Sequence, residues 1–154
     1  MGTDGLSWIT HDIAIARRST ALQLETRSSN AFRSVICLDG SLDDAMAAWL
    51  GYDDWFCCEL VDGPGNDLPK FARVVDTLSL MVAGTPPVLV YCHAGRSRSV
   101  AVVAANLARV RSMATQAALD LIAGKRETAV QPALASLATR VVAARALIAD
   151  RGPL

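Results

Sequence analysis

Apolar and polar positions along this chain change period several times, and each change marks an element. Trp8 to Ala16 alternates weakly around His11-Asp12, which predicts two short strands with Ile13 and Ile15 on one face. Ser19 or Thr20 then caps a short helix running to about Ser28, which Asn30 ends. Ser34 to Leu38 is an apolar strand closed by Asp39-Gly40. Leu42 to Leu50 reads as a helix, because Asp43 and Asp44 favour its start and Gly51 its end. Trp55 to Leu60 is another strand, and the following Asp62-Gly63-Pro64-Gly65-Asn66 is too dense in turn residues to be regular. Asn66 or Asp67 caps the next helix, which carries Pro69 in its first turn and a stripe of Leu68, Phe71, Val75, Leu78 and Val82.

After a Gly84–Pro87 turn, Val88 to Tyr91 reads as a short buried strand. Ser97 to Ser112 turns helical, with Val100, Val103, Leu107 and Val110 at helical spacing. A helix over Thr115 to Ala123 is stopped by Gly124, and Pro132 to Asp150 is the last, with Leu134, Leu137, Val141, Ala144 and Ile148 on one face. Strands alternating with helices predict an α/β fold, a central mostly parallel sheet flanked by helices. A length of 154 residues suits a single domain.

Composition narrows the partners. At 52% hydrophobic and 19% charged residues the chain is globular rather than disordered. Its formal net charge of zero gives no nucleic-acid signal, so any preference for anions must be local. Met1 to Leu24 lacks a basic start followed by an apolar core, and no run is long enough to cross a bilayer, so the expectation is a cytoplasmic protein without stable membrane insertion. Cys37, Cys57, Cys58 and Cys92 have neither zinc-ligand spacing nor a secreted framework and read as reduced thiols, with no metal or organic cofactor called for. Neighbours in a strand face opposite ways, so only one of Cys57 and Cys58 points to the core.

The local anion site is the stretch Val-Leu-Val-Tyr-Cys-His-Ala-Gly-Arg-Ser-Arg-Ser from Val88 to Ser99. A strand, a tight loop with Gly95 and a helix N-terminus make a nest of backbone N–H groups that favours an anion. The same positive end favours a thiolate, so Cys92 is placed as a nucleophile. Arg98 supplies a planar fork for two phosphate oxygens, and Ser99 a hydroxyl for the sulfur. The backbone of His93, Ala94, Gly95, Arg96, Ser97 and Arg98 would cradle the oxygens. Together these residues suggest phosphoryl transfer through a cysteinyl-phosphate.

The pattern of Cys92, Ala94, Gly95, Ser97, Arg98 and Ser99 closely resembles the Cys-x5-Arg signature of the protein tyrosine phosphatase superfamily, in its small dual-specificity form. The order of elements resembles that fold from about Trp8 to Leu147. Tyr91 departs from the histidine usual before the cysteine. The resemblance implies a general acid on a loop before the cysteine, and Asp62 matches the family's aspartate, six residues before a leucine that starts a helix, here Leu68. An acid that must be protonated while the thiol is ionised gives a bell-shaped pH profile. Arg126 resembles an arginine behind the phosphate loop and reads as structural.

The default substrate is phosphotyrosine and phosphoserine or phosphothreonine in proteins. His93 and Arg96 resemble the basic loop positions of lipid-directed members, which makes a phospholipid or inositol phosphate the alternative. A silenced phosphate-binding module is a third reading, permitted by Tyr91. Cys37 ends a strand near the loop, where it is either a small buried hydrophobe or the partner of Cys92 in a protective disulfide. Oligomeric state leaves no signal in the chain.

Overall fold

The structure, a computed structural model, describes residues 5–24 and 31–150, the last six of these as backbone only. In chain order the elements are β1 (Leu6–Trp8), β2 (Ile13–Arg17), α1 (Arg18–Gln23), β3 (Ser34–Cys37), α2 (Asp44–Trp49), β4 (Asp54–Cys57), α3 (Leu68–Gly84), β5 (Val88–Cys92), α4 (Arg98–Val110), α5 (Thr115–Ala123) and α6 (Pro132–Asp150). The strands form one sheet in the order β1-β2-β5-β3-β4, antiparallel between β1 and β2 and parallel elsewhere. The expected α/β fold with a mostly parallel sheet is therefore the observed one.

β5 is the middle strand, and all five of its residues are buried because helices cover both faces of the sheet. Val88, Val90 and Cys92 join Ile13, Ile15 and Ile36 in a core shared with α3, α4, α5 and α6. Leu89 and Tyr91 point the other way, into a smaller core with Ala14, Ala16, Val35, Cys37 and Ala47. One parallel end of the sheet thus holds the C-termini of β2, β3, β4 and β5, where an open α/β sheet keeps its ligand.

Some boundaries differ from the sequence reading. α1 begins at Arg18, so Ser19 and Thr20 lie inside it rather than capping it. Its start is set from outside, by the Arg18 N–H donating to the His93 carbonyl at 3.1 Å. The helix end expected at Ser28 to Asn30 lies outside the described residues. Asp67, not Asn66, caps α3 by accepting from the Lys70 N–H at 2.7 Å. β4 ends at Cys57, three residues before Leu60, although the Cys58 and Leu60 N–H groups still donate to Cys37 and Leu38. Val74 and Met81 are buried on α3, whereas Leu68 and Val82 are only partly so.

The larger difference is α4. A one-sided stripe was expected, yet every residue from Ser99 to Ala108 is buried, because α3, α5 and α6 pack around it against the sheet. Ala101, Ala104, Ala105 and Ala108 let those neighbours approach closely, and Asn106 satisfies its amide on Ser79 Oγ at 2.8 Å. Val110, counted into the stripe, is 69% exposed at the helix end. Ala144 on α6 is likewise exposed, and the side chain of Ile148 is outside the described residues. No helix among the described residues is long and apolar enough to cross a membrane.

This packing predicts an asymmetry in how α4 tolerates change. Ala105→Leu should overpack the helix and cost about 1–3 kcal/mol of unfolding free energy in urea titrations. Val110→Ala should stay within about 0.5 kcal/mol of the parent.

Candidate active site

Cys92 closes β5 and is buried, its Sγ 3.2 Å from the Oγ of Ser99 in the first turn of α4. The loop between them is held by its carbonyls. The His93 carbonyl accepts from the Arg18 N–H at 3.1 Å, that of Gly95 from Arg126 Nε at 2.8 Å, and that of Arg96 from the Ala129 N–H at 2.9 Å. A trans peptide points its C=O and the following N–H in opposite directions. Pulling these carbonyls outward therefore turns the N–H groups of Ala94, Arg96 and Ser97 to the inner side of the loop, the arrangement of an anion nest. The Ser97 hydroxyl adds a further tether by accepting from the Gln131 N–H at 3.0 Å.

Gly95 is the one residue this geometry restricts to glycine. Its φ is +68°, and a Cβ there would meet Arg126 Nη2 at 2.6 Å and the Ala16 carbonyl at 2.9 Å. Arg126 also donates through Nη1 to Ser7 Oγ at 3.1 Å and to the Ile15 carbonyl at 2.9 Å, stapling the loop to β1 and β2. Its burial lowers its pKa, an effect that the Cys92 charge opposes.

Arg98 is fastened along one edge. Its Nη1 donates to the carbonyls of Leu60 at 3.0 Å and Leu38 at 3.3 Å, just beyond the ends of β4 and β3. Its Nε is buried without a hydrogen-bond partner among the described residues. A buried guanidinium N–H in that condition is costly unless something accepts from it, and a phosphate oxygen is the matching acceptor.

Asp62 lies two residues beyond Leu60, exposed and without an ion-pair partner among the described residues. The loop that carries it is braced by Asn66, which donates to the Val61 carbonyl at 2.7 Å and accepts from the Val61 N–H at 2.8 Å. The sequence reading considered Asn66 only as a cap and missed this clamp, for which the turn-rich composition was the available signal.

Other expectations come out differently. Cys37 pairs in register with Tyr91, one residue before Cys92, so it projects to the opposite face of the sheet. A Cys37–Cys92 disulfide is excluded by that placement. Cys37 donates instead to Asp39 Oδ1 at 3.3 Å, which also accepts from the Ser41 hydroxyl. The Tyr91 hydroxyl, 3.1 Å from Ser41 Oγ, completes this buried network, and Arg18 approaches Asp39 Oδ2 at 3.8 Å. Burial pushes the Tyr91 phenol pKa upward, so it remains neutral and brings no positive charge to the loop. The Arg96 guanidinium is 3.2 Å from the Glu127 carboxylate, and both side chains are exposed. His93 is exposed on the loop and His11 on the turn before β2. Cys58 packs partly against the core while Cys57 faces out, as the alternation requires. Among the described residues no group of His, Cys, Asp and Glu is placed to hold a metal ion.

The site should reveal itself through its thiol. Iodoacetate, an anionic alkylating agent, is expected to label Cys92 first, with inorganic phosphate slowing the reaction. Cys57 should lag, since burial and the neighbouring Cys37 push its thiol up to about 11. Peptide mapping after brief exposure at neutral pH checks the order.

No protein-family model matches the sequence, and no curated protein does. Solved structures do resemble it. Human DUSP28 superposes with a TM-score of 0.77 at 18% identity, over 94% of this chain and 97% of that one. Tk-PTP in its active form gives a TM-score of 0.76 at 16% identity, over 92% of this chain and 99% of the other. PTPMT1 in complex with PI(5)P gives 0.71 at 20% identity, over 93% and 99%. The chain has the fold of the small dual-specificity phosphatases of the protein tyrosine phosphatase superfamily.

Proposed function

We propose that the protein is a cysteine-dependent phosphatase that hydrolyses phosphomonoesters through a cysteinyl-phosphate, with phosphotyrosine and phosphoserine or phosphothreonine in proteins as substrates. The observation that carries this reading is the convergence on one loop of the Cys92–Ser99 contact at 3.2 Å and the buried Nε of Arg98, unpartnered among the described residues.

In the first step the Cys92 thiolate attacks phosphorus, an S–P bond forms and the P–O bond to the leaving group breaks. Asp62 delivers a proton to that oxygen as it departs. The inward N–H groups and Arg98 Nε hold the equatorial oxygens, and Arg98 cannot drift because its other edge is tied to Leu38 and Leu60. In the second step the Asp62 carboxylate takes a proton from water, whose oxygen attacks phosphorus while the S–P bond breaks. The Ser99 hydroxyl donates to the departing thiolate, phosphate leaves, and the starting protonation states return. No metal or organic cofactor enters these steps.

The second reading is a lipid or inositol phosphate substrate. The similarity to a structure of PTPMT1 in complex with PI(5)P favours it. The pairing of Arg96 with Glu127 counts against it, since that arginine was the source of the extra charge such a substrate would use.

Asp62→Ala should lower kcat on phosphoserine and phosphotyrosine peptides by about 100-fold, with a much smaller loss on para-nitrophenyl phosphate, whose leaving group needs little protonation. Full retention of turnover on phosphoserine peptides would remove Asp62 from the mechanism. In the same assay, turnover of phosphopeptides with none of phosphoinositides decides for the protein substrate, and the reverse decides for the lipid.

A further inference from the structure

β4 is an open edge of the sheet, and a second recess lies beside its C-terminal end. A cavity of about 480 Å³ there is lined by Phe56, Cys57, Cys58, Pro69, Lys70 and Arg73. No carboxylate lines it, and neither Lys70 nor Arg73 has an ion-pair partner among the described residues. Arg73 lies 5.8 Å from the centroid of the Phe56 ring, which holds its guanidinium over the cavity wall. Both cations sit on the first turns of α3, and their field reaches inside: the Cys58 thiol, raised chiefly by burial and less by Asp67 at the helix cap, is pulled the other way by Lys70 and Arg73.

Among the described residues nothing pairs with the edge beside this recess. Asp54 and Cys58 turn their N–H groups to β3, donating to Arg33 and Cys37, so the alternation turns the backbone of Trp55 and Cys57 outward. An extended peptide can pair with such an edge while its side chains enter flanking pockets. Position relates the recess to the phosphate loop. A peptide paired to the outer edge of β4 lies three strand spacings from β5, about 14 Å, which about four residues of extended peptide would span. Cys58 is also two residues from Leu60, whose carbonyl anchors Arg98.

We infer that Lys70, Arg73 and the β4 edge form a docking site for an acidic stretch of a phosphoprotein substrate, three or four residues from the phosphorylated side chain. This inference rests on the phosphatase reading and specifies which phosphoproteins it acts on. The charge of the recess selects carboxylate side chains, and the exposed strand edge selects an extended polypeptide over a lipid headgroup.

The test compares phosphotyrosine peptides carrying Glu, Gln or Lys three and four positions away on either side, with the parent and with Lys70→Glu/Arg73→Glu. The parent should show a KM about fivefold lower for a Glu peptide than for its Gln counterpart, with equal kcat. The double variant should lose that preference and favour the Lys peptide, while its hydrolysis of para-nitrophenyl phosphate stays unchanged. Lys70→Gln/Arg73→Gln, which adds no negative charge, should abolish the preference without reversing it. Equal KM values for all peptides in the parent, with para-nitrophenyl phosphate turned over normally, would overturn the docking site and leave the phosphatase reading standing. A Glu preference that survives both double variants would do the same. Failure of the parent to turn over any phosphomonoester would overturn both.

Discussion

A short loop can offer its amides to an anion only if its carbonyls find partners on the outside. Here those partners come from three separated parts of the chain: the Arg18 N–H at the start of α1, the Arg126 guanidinium after α5, and the Ala129 N–H before α6. Buried backbone groups must be paired, so these bonds fix the loop independently of any ligand. Gly95 follows as a consequence, because Arg126 and the Ala16 carbonyl occupy the space a side chain would need. The deep burial of α4 serves the same end, holding the Ser99 hydroxyl against the sulfur at the mouth of the middle strand.

Arg98 extends that constraint sideways. By donating to Leu38 and Leu60 it ties the loop to the ends of β3 and β4, and Leu60 leads directly into the loop with Asp62. The Arg98 side chain and the loop that carries Asp62 are thus mechanically one unit, with Asn66 bracing the far side. On the opposite face of the sheet Tyr91 does not act on the thiol. Its hydroxyl is committed to Ser41 and through it to Asp39, and the buried phenol stays neutral. The charge that interacts with Cys92 is instead that of Arg126, on the side of the loop.

The order and type of most elements were legible because hydrophobic period is a local property. So was the placement of Cys92, Arg98 and Ser99, which lie on one strand, loop and helix. What was not legible depends on distant partners. Arg126 reaches Gly95 across 31 positions, Arg98 reaches Leu38 across 60, and Tyr91 meets Ser41 across 50. Cys37 illustrates the limit. Its nearness to the loop could be guessed, but its face depends on the β3–β5 register, and that register sets it beside Tyr91, not Cys92. Val110 failed for a related reason: a helix surrounded on all sides shows no meaningful stripe, and only its last turn emerges into solvent.

The central claim is that Cys92, without a metal, forms a covalent bond to phosphorus. Hydrolysis of para-nitrophenyl phosphate by the parent and by Cys92→Ser, from acid to neutral pH in the presence of a chelator, tests it most directly. The account predicts turnover that survives chelation, peaks at acidic pH and disappears in Cys92→Ser. Turnover that persists in Cys92→Ser, or that chelation abolishes in the parent, would contradict it.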